Sequence, residues 1–133
     1  MTAKLARQAF DLGTVTTNVA QMLAFYAGAL GFVKIEEIPF PGTGVLHRLK
    51  VGEAFFKLFA PEKAPAAAAP GGGAFGTTGF RYVTFAVTNL DETVEACRAF
   101  GAQIIVPTRA LRPGVRMAMV ADPDGNTVEL IGP

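Results

Sequence analysis

The chain predicts an α+β fold built from two βαβββ modules, and three observations carry that expectation. A short pattern recurs 71 positions apart, as Val15-Thr16-Thr17-Asn18-Val19 and again as Ala86-Val87-Thr88-Asn89-Leu90. Each copy opens a run of helical period and follows a run of alternating β-branched and aromatic residues. Between the copies lies a Pro-, Ala- and Gly-rich stretch with almost nothing that could pack.

The elements follow in order. Phe10 to Thr16 and Arg81 to Val87 alternate as strands do. Asn18 and Asn89 then stand as helix N-caps, with Gln21 and Glu92 three residues on at capping-box spacing. The first helix carries Val19, Met22, Leu23, Tyr26 and Leu30 on one face and stops at Gly31. The second carries Leu90, Val94, Cys97 and Phe100 and stops at Gly101. Three strands follow each helix: Val33 to Ile38, Val45 to Val51 and Ala54 to Phe59 in the first half, Gln103 to Pro107, Val115 to Ala121 and Thr127 to Ile131 in the second. Gly52-Glu53 and Asp122-Pro123-Asp124-Gly125 supply the tight reversals before each last strand. The modules are thus expected over residues 8–60 and 80–132 of a single domain. A mobile connector over 61–79 would let them pair within one chain or swap between chains.

Composition bounds the partners. With 133 residues, 50% hydrophobic and 17% charged, the chain supports one packed core and is not disordered. Twelve basic and eleven acidic residues without a basic run disfavour nucleic acid. No apolar run approaches the roughly 20 residues of a bilayer span, and Lys4 and Arg7 lead into Asp11 rather than an apolar block, so a cytoplasmic protein is expected. Cys97 is the only cysteine, which allows neither an internal disulfide nor a zinc cluster.

Two motifs carry a resemblance. Phe25-Tyr26 followed by Ala29-Leu30-Gly31-Phe32 matches F-Y-x-x-x-L-G-F, and Asp122-Pro123-Asp124-Gly125-Asn126-Thr127-Val128-Glu129-Leu130 matches D-P-D-G-N-x-x-E-L. Over nearly its whole length the chain resembles the vicinal oxygen chelate superfamily, the glyoxalase, bleomycin-resistance and dioxygenase family. The resemblance implies that the modules form an incomplete barrel-like cleft and that the protein is a homodimer. It also implies a divalent metal, held by a His, Gln or Glu on the first strand and a Glu on the last strand of each module. Here those positions hold Asp11, Lys57, Tyr82 and Glu129. A lysine repels a metal and a protonated tyrosine is a poor ligand, so the site is degenerate and no metal or other cofactor is expected. His47, the only histidine, reads as a polar residue at a sheet edge.

The family register turns one face of each outer strand into the cleft. That face carries Asp11, Phe55, Lys57 and Phe59 from the first module, and Tyr82, Thr84 and Glu129 from the second. A two-residue turn at Gly52-Glu53 sets Arg48 opposite Lys57 and Lys50 opposite Phe55, while the second turn sets Met119 opposite Glu129 and Met117 opposite Ile131. Two readings stand beside each other. In one, Lys57 and Glu129 form an ion pair where an ancestor kept a metal, Tyr82 fills the barrel, and Asp11 is satisfied by Lys57 or Arg48. In the other, Lys57, Glu129 and Tyr82 are catalytic in metal-independent proton transfer of isomerase or lyase type. The substrate would be a small carbonyl, carboxylate or aromatic compound, bound by Asp11, Arg48, Phe55, Phe59, Thr84, Met117 and Met119. A third class is a non-catalytic, antibiotic-like binding protein for a neutral or anionic ligand. A metal enzyme completed by a partner subunit ranks last. Arg109, Arg112 and Arg116 serve equally as solvated charges or as guides for an anion.

Overall fold

A computed structural model describes residues 2–133. The chain divides into two compact units, Met1–Ala66 and Ala67–Pro133, and each is an open, four-stranded mixed sheet with a helix on one face.

In the first unit, β1 (Leu12–Val15) leads into a helix, and β2 (Val33–Phe40), β3 (Gly44–Val51) and β4 (Ala54–Pro61) follow as a meander. The strand order is β1-β4-β3-β2, with β1 parallel to β4 and the other pairs antiparallel. The helix begins as α1 (Val19–Leu23) after Asn18, as expected, but continues over Ala24–Ala29 with the wider π-helical turn. Its last bond runs from the Leu30 N–H to the Phe25 carbonyl at 2.9 Å. Along this i→i+5 bonded turn Phe25 is buried beside Tyr26, their rings edge to face at 4.9 Å. Phe25 was absent from the face that simple 3.6-residue spacing selects. Tyr26 also packs on Phe56 at 4.3 Å, and Met22, Leu49 and Leu58 complete the buried cluster on that face of the sheet.

The second unit repeats the plan. Its strands are β5 (Tyr82–Ala86), β6 (Ile104–Arg112), β7 (Val115–Ala121) and β8 (Thr127–Gly132), in the order β5-β8-β7-β6, and α2 (Leu90–Phe100) follows β5. Leu90, Val94 and Cys97 face the sheet and are buried. Burial pushes the Cys97 thiol up to about 11, so it packs as an apolar residue. Gly101 ends α2 with φ of 97°, a backbone conformation that a residue with a Cβ resists.

Several expectations need correction. Neither Asn18 nor Asn89 caps its helix through its side chain; Asn89 instead donates to Glu92 at 3.3 Å, and the Asn18 N–H donates to Thr16. β6 runs five residues past Pro107, because register shifts absorb that proline, so Arg109 and Arg112 are strand residues. His47 does not sit at an edge: β3 lies between β4 and β2, and the side chain is buried. Burial holds its imidazole below the usual histidine range, partly offset by Glu37 at 3.5 Å. The connector is not bare either. Arg81 donates to the Gly73 carbonyl at 2.8 Å, and Phe75 in the short 3₁₀ turn Gly73–Phe75 meets Tyr82 edge-on at 6.4 Å. Among the described residues no helix is long and apolar enough to cross a membrane.

Candidate functional site

Strand pairing decides which polar groups meet. The Gly52-Glu53 turn pairs Val51 with Ala54, which sets Arg48 against Lys57 and Lys50 against Phe55. The helix covers Phe56 and Leu58, so the alternate residues Phe55, Lys57 and Phe59 lie on the other face, with Arg48 and Lys50 beside them. The Phe55 ring lies at the centre of this face. The Arg48 guanidinium stands 4.1 Å from the ring centroid, the Lys50 ammonium 5.3 Å and the Arg7 guanidinium 5.1 Å.

Placing cations in opposed register is unfavourable unless carboxylates offset it. Glu36, across β2 from Arg48, pairs with that guanidinium. Asp11 sits directly before β1, which runs beside β4, and is approached by three groups. Arg7 binds it through both terminal nitrogens, at 2.9 and 3.2 Å, the Phe55 N–H donates to it at 2.9 Å, and Lys57 stands at 3.7 Å. The Arg7 bonds, then the Phe55 N–H, hold the Asp11 carboxyl down at about 2. Of the partners foreseen for Asp11, Lys57 stands at 3.7 Å and Arg48 pairs with Glu36 instead; Arg7, which binds Asp11, was missed, and so was Glu36 as the partner of Arg48. The Arg7 to Asp11 spacing resembles a helical ion pair, but it lies in a stretch with no periodic pattern, so nothing in the sequence flagged it.

That lowered value has a consequence in acid. Asp11 favours the native state fully above its ordinary value near 3.8, and the contribution is lost as pH falls toward about 2. Carbon-detected NMR of Asp11 is expected to show a midpoint near 2, and Arg7→Ala should raise it toward the ordinary value. An unchanged midpoint in that variant would remove Arg7 as the cause.

On the second unit's sheet, Thr84 of β5 lies beside Glu129 of β8, and its hydroxyl donates to the Glu129 carboxylate at 2.8 Å. Met119 is opposite Glu129 and Met117 opposite Ile131, and both methionines are buried. Tyr82 is half exposed and touches Phe75, so its ring is not a filled core position. Lys57 and Glu129 belong to different units, the first 3.7 Å from an Asp11 oxygen without a hydrogen bond to it and the second hydrogen-bonded by Thr84. Arg116 binds Asp91 in bidentate fashion and the Pro133 carbonyl, which accounts for its charge without a ligand.

The four positions at which the resemblance implies metal ligands do not fit a divalent cation. Lys57 brings a positive charge next to Asp11, whose oxygens already accept from Arg7 and Phe55. Among the described residues no three His, Cys, Asp or Glu side chains come together as a metal-holding group.

Each unit is thus a βαβββ sheet with a helix on one face and polar side chains on the other. The sequence profile of the Glyoxalase/Bleomycin resistance protein/Dioxygenase superfamily matches residues 11–130, and the chain belongs to that superfamily. Solved structures agree in fold. A glyoxalase family protein from Bacillus cereus superposes with a TM-score of 0.82 at 17% identity, covering 98% of this chain and 95% of its own. The trypanothione-dependent glyoxalase I of Leishmania major gives 0.73 at 20%, covering 96% and 87%. The fosfomycin resistance protein FosX from Mesorhizobium loti gives 0.65 at 13%, covering 96% and 91%. A comparison with curated protein sequences finds no match.

Proposed function

We propose that this protein binds a small anionic compound with an aromatic or carbonyl group on the face of its first sheet opposite the helix, without a metal. The observation that carries the proposal is the set of cations around Phe55. Arg48 and Arg7 each have a carboxylate partner, whereas Lys50 has none among the described residues and Lys57 stands 3.7 Å from one already committed to Arg7. Such a face offers donors and positive charge to a carboxylate or phosphonate, and a ring for its apolar part. A cationic ligand would be repelled. Membership of a superfamily that includes glyoxalases and resistance proteins is consistent with a small ligand, but fold alone does not name one.

Benzoate and benzamide differ in charge and little else, and calorimetric titration with each tests the proposal. Saturable binding of benzoate with at least tenfold weaker binding of benzamide is expected. Lys57→Met should weaken benzoate by about 10- to 100-fold, the range of one charge-assisted hydrogen bond, and leave benzamide unchanged. Equal affinity for the two probes would sink the anion assignment.

A second reading adds chemistry, and Glu129 favours it. This half-buried carboxylate sits in an interior strand with a hydroxyl on one oxygen, and among the described residues of its own unit no cation pairs with it. It is suited to accept a proton from carbon next to a carbonyl; returning that proton at a neighbouring atom completes an isomerisation, whereas loss of a leaving group from the adjacent carbon, with the C–H electron pair forming the double bond, completes a lyase-type elimination. Tyr82, half exposed on the adjoining strand, has a hydroxyl able to donate to a developing oxyanion. A homodimer in the cytoplasm is part of the same proposal.

A further inference from the structure

We infer that Arg7 is a positioning residue: by holding Asp11 it keeps that carboxylate off Lys57 and leaves the lysine ammonium open to an anionic ligand. The inference rests on the anion-binding reading of this face and names the residue that keeps the site open.

Asp11 has two oxygens and more donors than one residue needs. Arg7 Nη1 donates to Oδ1 at 3.2 Å and Nη2 to Oδ2 at 2.9 Å, the parallel two-bond arrangement for which a guanidinium is shaped. The Phe55 N–H donates to Oδ1 at 2.9 Å. Lys57 Nζ is left 3.7 Å from Oδ2, outside hydrogen-bond length although no other carboxylate pairs with it in this unit among the described residues.

Arg7 keeps its own place by two contacts independent of Asp11. Its Nη1 donates to the Glu53 carbonyl at 2.9 Å, and its guanidinium lies 5.1 Å from the Phe55 centroid. Both partners belong to the β3–β4 turn and the start of β4, the same hairpin that carries Lys57. Residues 2–8, by contrast, are exposed and form no regular element, so Arg7 is the point at which this segment is fixed to the sheet. Without Arg7, the Phe55 N–H still holds Oδ1 of Asp11, but Oδ2, the oxygen beside Lys57, loses its donor. A flexible lysine and a released carboxylate close a gap of this size readily, and the ligand must then displace an internal competitor.

A double-mutant cycle on the full chain separates this from direct contact between Arg7 and the ligand, with benzoate as the probe. Asp11→Asn removes the competing charge and still accepts the Phe55 N–H. The expected results are that R7A weakens benzoate about tenfold in the wild-type background, and that R7A in the D11N background matches D11N alone within about twofold. R7K should recover only part of the loss, because an ammonium cannot engage both carboxylate oxygens in parallel. Unchanged affinity in R7A overturns the inference, and so does an equal loss in both backgrounds, which would put Arg7 on the ligand itself. If the unmutated protein fails to bind benzoate, the anion-binding reading falls, and the Arg7 inference is decided by a crystal structure of R7A. Contraction of the Lys57 to Asp11 distance to about 3.2 Å or less supports it, and a distance unchanged at 3.7 Å overturns it.

Discussion

Asp122→Ala is expected to destabilise the second unit by about 2–4 kcal/mol, read as a lowered midpoint in urea at unchanged slope. Asp122 is buried, and its side chain organises the whole β7–β8 reversal. One oxygen accepts the N–H groups of Asp124 and Asn126, each at 2.9 Å, and the other accepts the Asn126 side-chain amide at 2.8 Å. Main-chain bonds from the Asp122 N–H to Asn126 and from the Gly125 N–H to Asp122 close the same turn, with Gly125 at φ of 86°. Alanine leaves three donors unsatisfied next to a buried strand start, a cost set by desolvation as well as by the lost bonds. Asp122→Asn retains one acceptor oxygen and should cost roughly half as much. A loss under about 0.5 kcal/mol for Asp122→Ala would mean that the turn is held by its main chain alone.

The largest functional effect is expected at Glu129. If the second sheet carries proton transfer, Glu129→Gln should lower turnover of an enolisable carbonyl substrate by about 10²- to 10⁴-fold, the usual contribution of a positioned acid or base. The amide keeps the size of the side chain and can still accept from Thr84, so stability and ligand affinity should change little. A parallel test uses solvent deuterium: an active protein should exchange the proton next to the carbonyl, and the variant should not. Turnover unchanged in Glu129→Gln removes this residue from the chemistry. Saturable binding with no turnover and no exchange would leave the chain as a binding protein, the other class its sequence admits.

Much of this architecture was legible because local and global signals coincide. The Thr-Asn repeat marks both strand-to-helix junctions, and glycines at 31 and 101 mark both helix ends, since those turns need positive φ. Gly52-Glu53 fixed the pairing of Arg48 with Lys57, because a two-residue turn leaves one register and side chains alternate along a strand. The π-helical turn was illegible: Phe25 and Tyr26 are both large and apolar, and whether one or both reach the core depends on the sheet beneath them. His47 misled for a similar reason, since its polar neighbours Arg48 and Lys50 belong to the opposite face of an interior strand.

By itself, then, the sequence determined the α+β class, the two βαβββ modules and the register of the inner hairpins. Each of these follows from spacing within a few residues, where chain geometry leaves few alternatives. Only the tertiary structure decided which groups meet the charges: Glu36 pairs with Arg48, Arg7 pairs with Asp11, and the Thr84 hydroxyl donates to Glu129. Those partners lie on other strands, or on a segment without a period, and opposite charges offer many near-equal pairings. The fold selects among them by bringing particular side chains within about 3 Å of one another.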